Sequence, residues 1–189
     1  MDDLRMTDRH AIQDCLYRYI RGVDRKDWGL VRSAYHPDAH DDHGNYKGGI
    51  DGFIDSLVVR HATIEQSMHV VGNMWIEFDG PDGALVETYF VTYQRLSPEA
   101  GDARLAYLRG KPVAADQAVE TEVVGRYVDR MTRRDGAWKI GRRTVVFEVF
   151  RGQPAPAGGG LRANWAVGTR DGNDPIEIAR RELGLARAP

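Results

Sequence analysis

At 189 residues, 42% hydrophobic and 29% charged, the chain has the make-up of an ordinary soluble protein and the length for one domain with an elaborated tail. A formal net charge of −2, with acids and bases interspersed, points away from nucleic acid or an anionic membrane as partner. Cys15 is the only cysteine, which excludes an internal disulfide and a Cys-rich metal site. No signal-peptide pattern or membrane-length apolar run is read, so a cytoplasmic location is expected.

Thr7 can cap a helix running to about Asp24, because Ile12, Leu16, Ile20 and Val23 recur at three- and four-residue steps. Asp27-Trp28-Gly29 opens a second helix carrying Leu30, Val31 and Tyr35, which Pro37 is expected to end. Residues 38–49 read as a polar strand and turn. Ile50 to Arg60 returns to helical spacing.

From His69 the texture becomes β. Val70–Phe78 and Ala84–Leu96 are strand candidates around the turn Asp79-Gly80-Pro81-Asp82-Gly83. Ser97 to Gln117 is a weakly patterned excursion. Val119–Met131 and Trp138–Phe150 form a hairpin around Arg133-Arg134-Asp135-Gly136. Gln153–Gly160 reads as a Pro/Gly/Ala linker, with a short helix near Ile176 to Leu183. Helices first and consecutive strands afterwards predict an α+β fold. The sheet is expected to be mostly antiparallel and strongly curved, a cone-like half-barrel with the N-terminal helices packed over a cavity. Residues 1–150 would form this domain, and 151–189 an extension that covers the pocket or contacts a subunit.

Asp24 extends the apolar stripe of the first helix although an anion is poorly placed at a helix C-terminus, so a specific reason is expected for it. His69 lies among Met68, Val70 and Val71. A carboxylate and an imidazole meeting in a pocket would make a general base, the carboxylate fixing the tautomer and stabilising the imidazolium. Arg143 alternates with Gly141, Val145, Phe147 and Val149, so on an inward face it needs an anionic partner, either a substrate oxygen or a structural acid. Tyr127 shares a strand face with Val123, Gly125 and Met131 and is expected to line the pocket. The group His36, Asp38, His40, Asp41, Asp42 and His43 lacks converging metal-ligand spacing, and no nucleotide-binding glycine motif is present. Neither metal nor cofactor is therefore expected. Cys15 reads as packing, and His10 and His61 as surface residues.

Ile12 to Trp28, Tyr35-His36-Pro37-Asp38-Ala39 with Gly44 and Gly48, His69-Val70-Val71-Gly72-Asn73 and Asp135-Gly136-Ala137-Trp138-Lys139 together carry a family resemblance. In order and spacing they resemble the SnoaL-like (polyketide-cyclase-like) branch of the nuclear transport factor 2-like superfamily. Asp24 and His69 resemble the Asp–His pair of scytalone dehydratase, bile acid 7α-dehydratase and hexachlorocyclohexane dehydrochlorinase, in which histidine takes a proton from carbon. By the same resemblance, Arg143 falls at a catalytic arginine of the dehydrochlorinase, and Tyr19 at a catalytic tyrosine of the bile acid enzyme. His43 falls at a functional tyrosine of scytalone dehydratase, and Tyr93 near one of its histidines.

The resemblance thus implies catalytic roles for His69, Asp24, Arg143 and Tyr19. Substrate contacts are expected from His43, Tyr93, Tyr127, Phe147 and Trp28. The implied activity is a cofactor-independent, dehydratase-like lyase acting on a small, cyclic, largely apolar molecule. The alternatives are a ketosteroid-isomerase-like isomerase, a non-catalytic binding or assembly protein, and the small subunit of a ring-hydroxylating oxygenase. A homo-oligomer, trimer or dimer, is implied as well.

Overall fold

In the computed structural model, which describes residues 3–156, 162 and 164–185, the expected apolar stripe lies along one long helix, α1 (Asp3–Arg25). Ile12, Cys15, Leu16, Tyr19, Ile20 and Val23 are all buried. The helix begins upstream of Thr7 because its first turns are held by tertiary contacts. Trp138 Nε1 and Arg133 Nη1 both donate to Asp8 Oδ1, each at 2.9 Å. Asp27 caps α2 (Trp28–Ser33), its side chain accepting from the Leu30 N–H at 3.0 Å. The two helices can approach closely because residue 22 is glycine. A Cβ there would lie 2.8 Å from Val31 Cγ2 and from the Val31 backbone nitrogen.

Tyr35 and Pro37 depart from expectation. Neither belongs to α2: both lie in strand β1 (Tyr35–Asp42), where the register with its parallel neighbour shifts between Tyr35 and His40. Proline is tolerated at such an irregularity because no ladder N–H is demanded of it. β2 (Lys47–Gly49) pairs back on β1, and α3 (Ile50–His61) follows. Strand β3 (Ile64–Phe78) starts well before His69, so the imidazole sits inside the strand rather than at its beginning.

β4 (Gly83–Leu96), β5 (Val119–Arg134) and β6 (Ala137–Pro154) complete a six-stranded sheet in the order β2-β1-β6-β5-β4-β3. All neighbours are antiparallel except β1 and β6. The β5–β6 turn has positive φ at both central residues, Asp135 (51°) and Gly136 (78°), as a tight two-residue hairpin requires. Residues 97–118 hold a 3₁₀ turn (Pro98–Ala100) and a short α4 (Asp102–Leu105). Buried Arg104 anchors them by donating to the carbonyls of Ala114, Ala115 and Gln117.

The expected linker is partly strand, since Gln153 and Pro154 still pair with β5. Its residues 157–160 lie outside the described residues. α5 (Pro175–Glu182) closes the described chain, capped by Asp174. The result is an α+β fold whose mixed sheet does not close into a barrel. α1 and α3 pack on its concave face around Phe53, Phe90, Tyr127, Ile140 and Val145. No helix among the described residues is long and apolar enough to cross a membrane.

Candidate active site

Asp24 projects from the last turn of α1 toward β3, and His69 meets it there. Asp24 Oδ1 lies 2.7 Å from His69 Nδ1, and the backbone N–H of His69 donates to Oδ2 at 2.8 Å. This second bond is possible because β3 is the last strand of the sheet. On an edge strand, alternate N–H groups have no ladder partner. The Ser67 hydroxyl donates to Oδ1 at 2.8 Å from the same strand face, since residues two apart point the same way. Gln94 reaches Ser67 Oγ at 3.4 Å, and Arg60 of α3 holds Gln94 at 3.1 Å.

Burial alone would raise the Asp24 carboxyl. The bonds and charge from the His69 ring, its N–H and the Ser67 hydroxyl outweigh that and hold the carboxyl below its ordinary value. An ionised carboxylate only accepts, so His69 must carry its proton on Nδ1. Nε2 has no hydrogen-bond partner among the described residues. The ring lines a cleft of about 290 Å³ together with Tyr17, Ile20, Arg21, Asp24, Arg25 and Val71. The cleft opens beside half-exposed Tyr17, as a mouth between α1 and β3.

Arg143 occupies a second, wholly buried cluster. Its Nε and Nη2 each donate to Asp129 at 2.7 Å, and Nη1 donates to Tyr35 Oη at 3.3 Å. The Tyr19 and Tyr127 rings each lie 4.2 Å from the guanidinium carbon. Tyr35 in turn donates to Asp41 Oδ2 at 2.7 Å, and His43 Nδ1 lies 3.1 Å from Asp41 Oδ1. Burial, opposed by Arg143, raises the Asp129 carboxyl; burial also pushes the Tyr19 phenol up and the His43 imidazole down. The two clusters meet through Phe90, which stacks on Tyr127 at 4.4 Å and stands 6.5 Å from the His69 ring.

The structure therefore brings Asp24 and His69 together and gathers Tyr19, Tyr127, Arg143 and His43 one ring layer away. Arg143 is paired with a structural acid, Asp129, and lies between the faces of Tyr19 and Tyr127. Tyr93 is not brought to the pair. It pairs with Met68 on the convex face, where both are exposed, because strand alternation sends residue 93 opposite to buried Thr92 and Gln94. Nor is Trp28 among the residues that line the cleft. It packs edge-on to His61 at 5.8 Å, behind the α1 terminus. Phe147 is partly exposed and contacts His43 and Phe150 rather than His69.

His61 is not a surface residue. It is 1% exposed, and its partner, Arg170, lies too far along the chain for any local pattern to signal it. Ser67, Gln94, Arg60 and Arg170 were not read from the sequence as part of the site. Only Ser67 left a signal, its two-residue spacing from His69. Cys15 is packing as expected. Its thiol donates to the Ala34 carbonyl, and burial pushes it up to about 11.

The fold is shared by solved proteins of low identity. A Type2 hexachlorocyclohexane dehydrochlorinase (LinA) superposes with a TM-score of 0.66 at 21% identity, covering 87% of this chain and 100% of that one. LinA-type3 from Novosphingobium barchaimii LL02 gives 0.65 at 22%, over 85% and 99% of the two chains. A candidate scytalone dehydratase from Novosphingobium aromaticivorans gives 0.64 at 17%, over 88% and 100%. No curated protein matches the chain significantly. The sequence itself matches the SnoaL-like domain over residues 4–144, and by that match the protein belongs to the SnoaL-like family.

Proposed function

We propose that the protein is a cofactor-independent lyase of the dehydratase kind, with His69 as general base and Asp24 as the acid that orients and charges it. The supporting observation is the doubly bonded Asp24–His69 pair, whose free Nε2 belongs to a ring that lines a cleft. Nε2 takes a proton from a carbon next to a carbonyl, and the carbanionic pair forms the new C=C bond as the adjacent C–O bond breaks. The departing hydroxide accepts a proton from the imidazolium and leaves as water, restoring neutral His69. Asp24 stabilises the imidazolium between these steps.

The cleft suits a small ring molecule in volume and in its mixed lining of Ile20, Val71 and the Tyr17 ring. The fold neighbours named as a dehydrochlorinase and a candidate scytalone dehydratase support elimination chemistry. Contact between Arg143 and a substrate oxygen would require Tyr19 or Tyr127 to swing off the guanidinium.

The test is incubation with a panel of hydroxylated ring ketones, followed by mass spectrometry for loss of water. His69→Ala should lower turnover by about 10²–10⁴-fold in protein that still unfolds cooperatively, with a midpoint lowered by the lost bond to Asp24. Undiminished turnover by that variant would exclude the mechanism. A product of unchanged mass, with solvent deuterium incorporated, would assign the same base to isomerisation.

A further inference from the structure

Arg170 lies beyond the SnoaL-like match, between β6 and α5, yet only 8% of it is exposed. Its guanidinium spans three elements. Nε donates to the Asp24 carbonyl, Nη2 to the Val23 carbonyl and Nη1 to the Ile64 carbonyl, all at 2.8 Å. Nη2 also lies 2.6 Å from His61 Nδ1 at the end of α3.

The first two carbonyls belong to the α1 terminus, where a helix leaves acceptors unsatisfied and a cation is favoured. The third opens the strand that carries His69 five residues later. Burial, with the charges of Arg170 and Arg60, drives His61 down to about 2, so its ring is neutral and accepts at Nδ1. The segment bearing Arg170 is itself pinned. Gln66 donates to the Gly168 carbonyl at 2.8 Å, and the Thr169 N–H to Asp174 Oδ2 at 3.0 Å.

We propose that Arg170 is the positioning residue of the Asp24–His69 pair, its guanidinium locking the helix end that carries the carboxylate to the strand that carries the imidazole. The proposal rests on that pair being the working site. A planar fork serves three converging carbonyls, whereas a lysine ammonium is a point charge on a flexible stem. Bonds of 2.7–2.8 Å to one carboxylate tolerate little rotation of the helix end, and displacements of order 1 Å can cost about 10²-fold in rate.

The test compares wild type, Arg170→Lys and Arg170→Ala by proton NMR of the hydrogen-bonded His69 Nδ1–H, with the core Val86 amide as internal reference. In Arg170→Lys, exchange of the His69 Nδ1–H with water should rise about tenfold while Val86 exchange is unchanged. kcat on whichever ring ketone is turned over should fall about tenfold or more, with KM within about twofold. Arg170→Ala, if folded, should show the larger effect, with partial rescue by added methylguanidine; if it unfolds, the lysine variant decides. Wild-type exchange at His69 in Arg170→Lys, or an acceleration matched by Val86, would overturn the proposal. The NMR readout needs no substrate, so loss of the lyase reading through His69→Ala would be seen separately.

Discussion

Asp24 collects a ring N–H, a main-chain N–H and a hydroxyl on two oxygens, and each such charge-assisted bond contributes about 1.5–3 kcal/mol in its ordinary range. The carboxylate is thereby ionised and immobile before any substrate arrives. The sequence shows both partners, Asp24 as the polar end of an apolar stripe and His69 as an imidazole in an apolar strand. It could not show Arg170, because no periodicity reports a contact 146 residues away.

His61 gives this residue scale a pH signature. In the fold its imidazole is held at about 2, against an ordinary value of 6.5. Between those values the unfolded chain binds a proton that the folded chain does not, so stability is complete above about pH 6.5 and falls as pH drops toward 2. Asp24 acts in the same direction, but only as pH drops below about 4, near an ordinary carboxylate's titration. The unfolding midpoint of the wild type should therefore decline from about pH 7 to pH 5, and His61→Gln should flatten that decline. An unchanged slope would show that His61 does not carry it.

At the scale of elements, register decides what reaches the interior. β6 shifts register against β5 near Gly141 and again near Glu148. Trp138, Ile140, Arg143 and Val145 are buried, whereas Phe147 is exposed. Simple alternation assigned Arg143 and Val145 to the buried face correctly but carried that face across the two bulges to Gly141 and Val149, since a bulge reverses parity without a compositional mark. Gly125 on β5 answers a packing demand. A Cβ there would stand 2.3 Å from the Val146 carbonyl oxygen and 2.9 Å from Phe90 Cζ, so only glycine lets Phe90 lie flat on Tyr127.

The buried Asp129–Arg143 pair ties β5 to β6 with no exposure on either side chain. Asp129→Ala would leave an uncompensated buried guanidinium and should lower stability by about 3–5 kcal/mol in chemical denaturation. The double replacement Asp129→Leu with Arg143→Met should cost much less than that single change. Equal losses from the two would place the energy in the packing of Tyr19 and Tyr127 rather than in the charge.

For the molecule as a whole, the order of helices and strands was enough to reveal the α+β class, and turn residues located both long hairpins. The parallel pairing of β1 with β6 was not legible, since the two strands are far apart in sequence and Pro37 masks the first as a helix stop. Nor was the reach of the C-terminal segment. Its acids meet the cleft's arginines, Glu177 to Arg21 at 3.0 Å and Asp174 to Arg25 at 3.7 Å. These pairs leave the two arginines of the cleft matched by acids. The family match stops at residue 144, inside β6, whose remaining residues still pair with β5 through Pro154.

The placement of His69 on the outermost strand has a consequence for solubility as well as chemistry. Free amides along a sheet border invite addition of a foreign strand, and here a carboxylate capping one of them acts as a guard. Asp24→Ala should then form β-rich aggregates on storage, visible by light scattering, at concentrations where His69→Ala stays dispersed. The side chain that holds His69 would then also keep neighbouring copies from annealing onto that border.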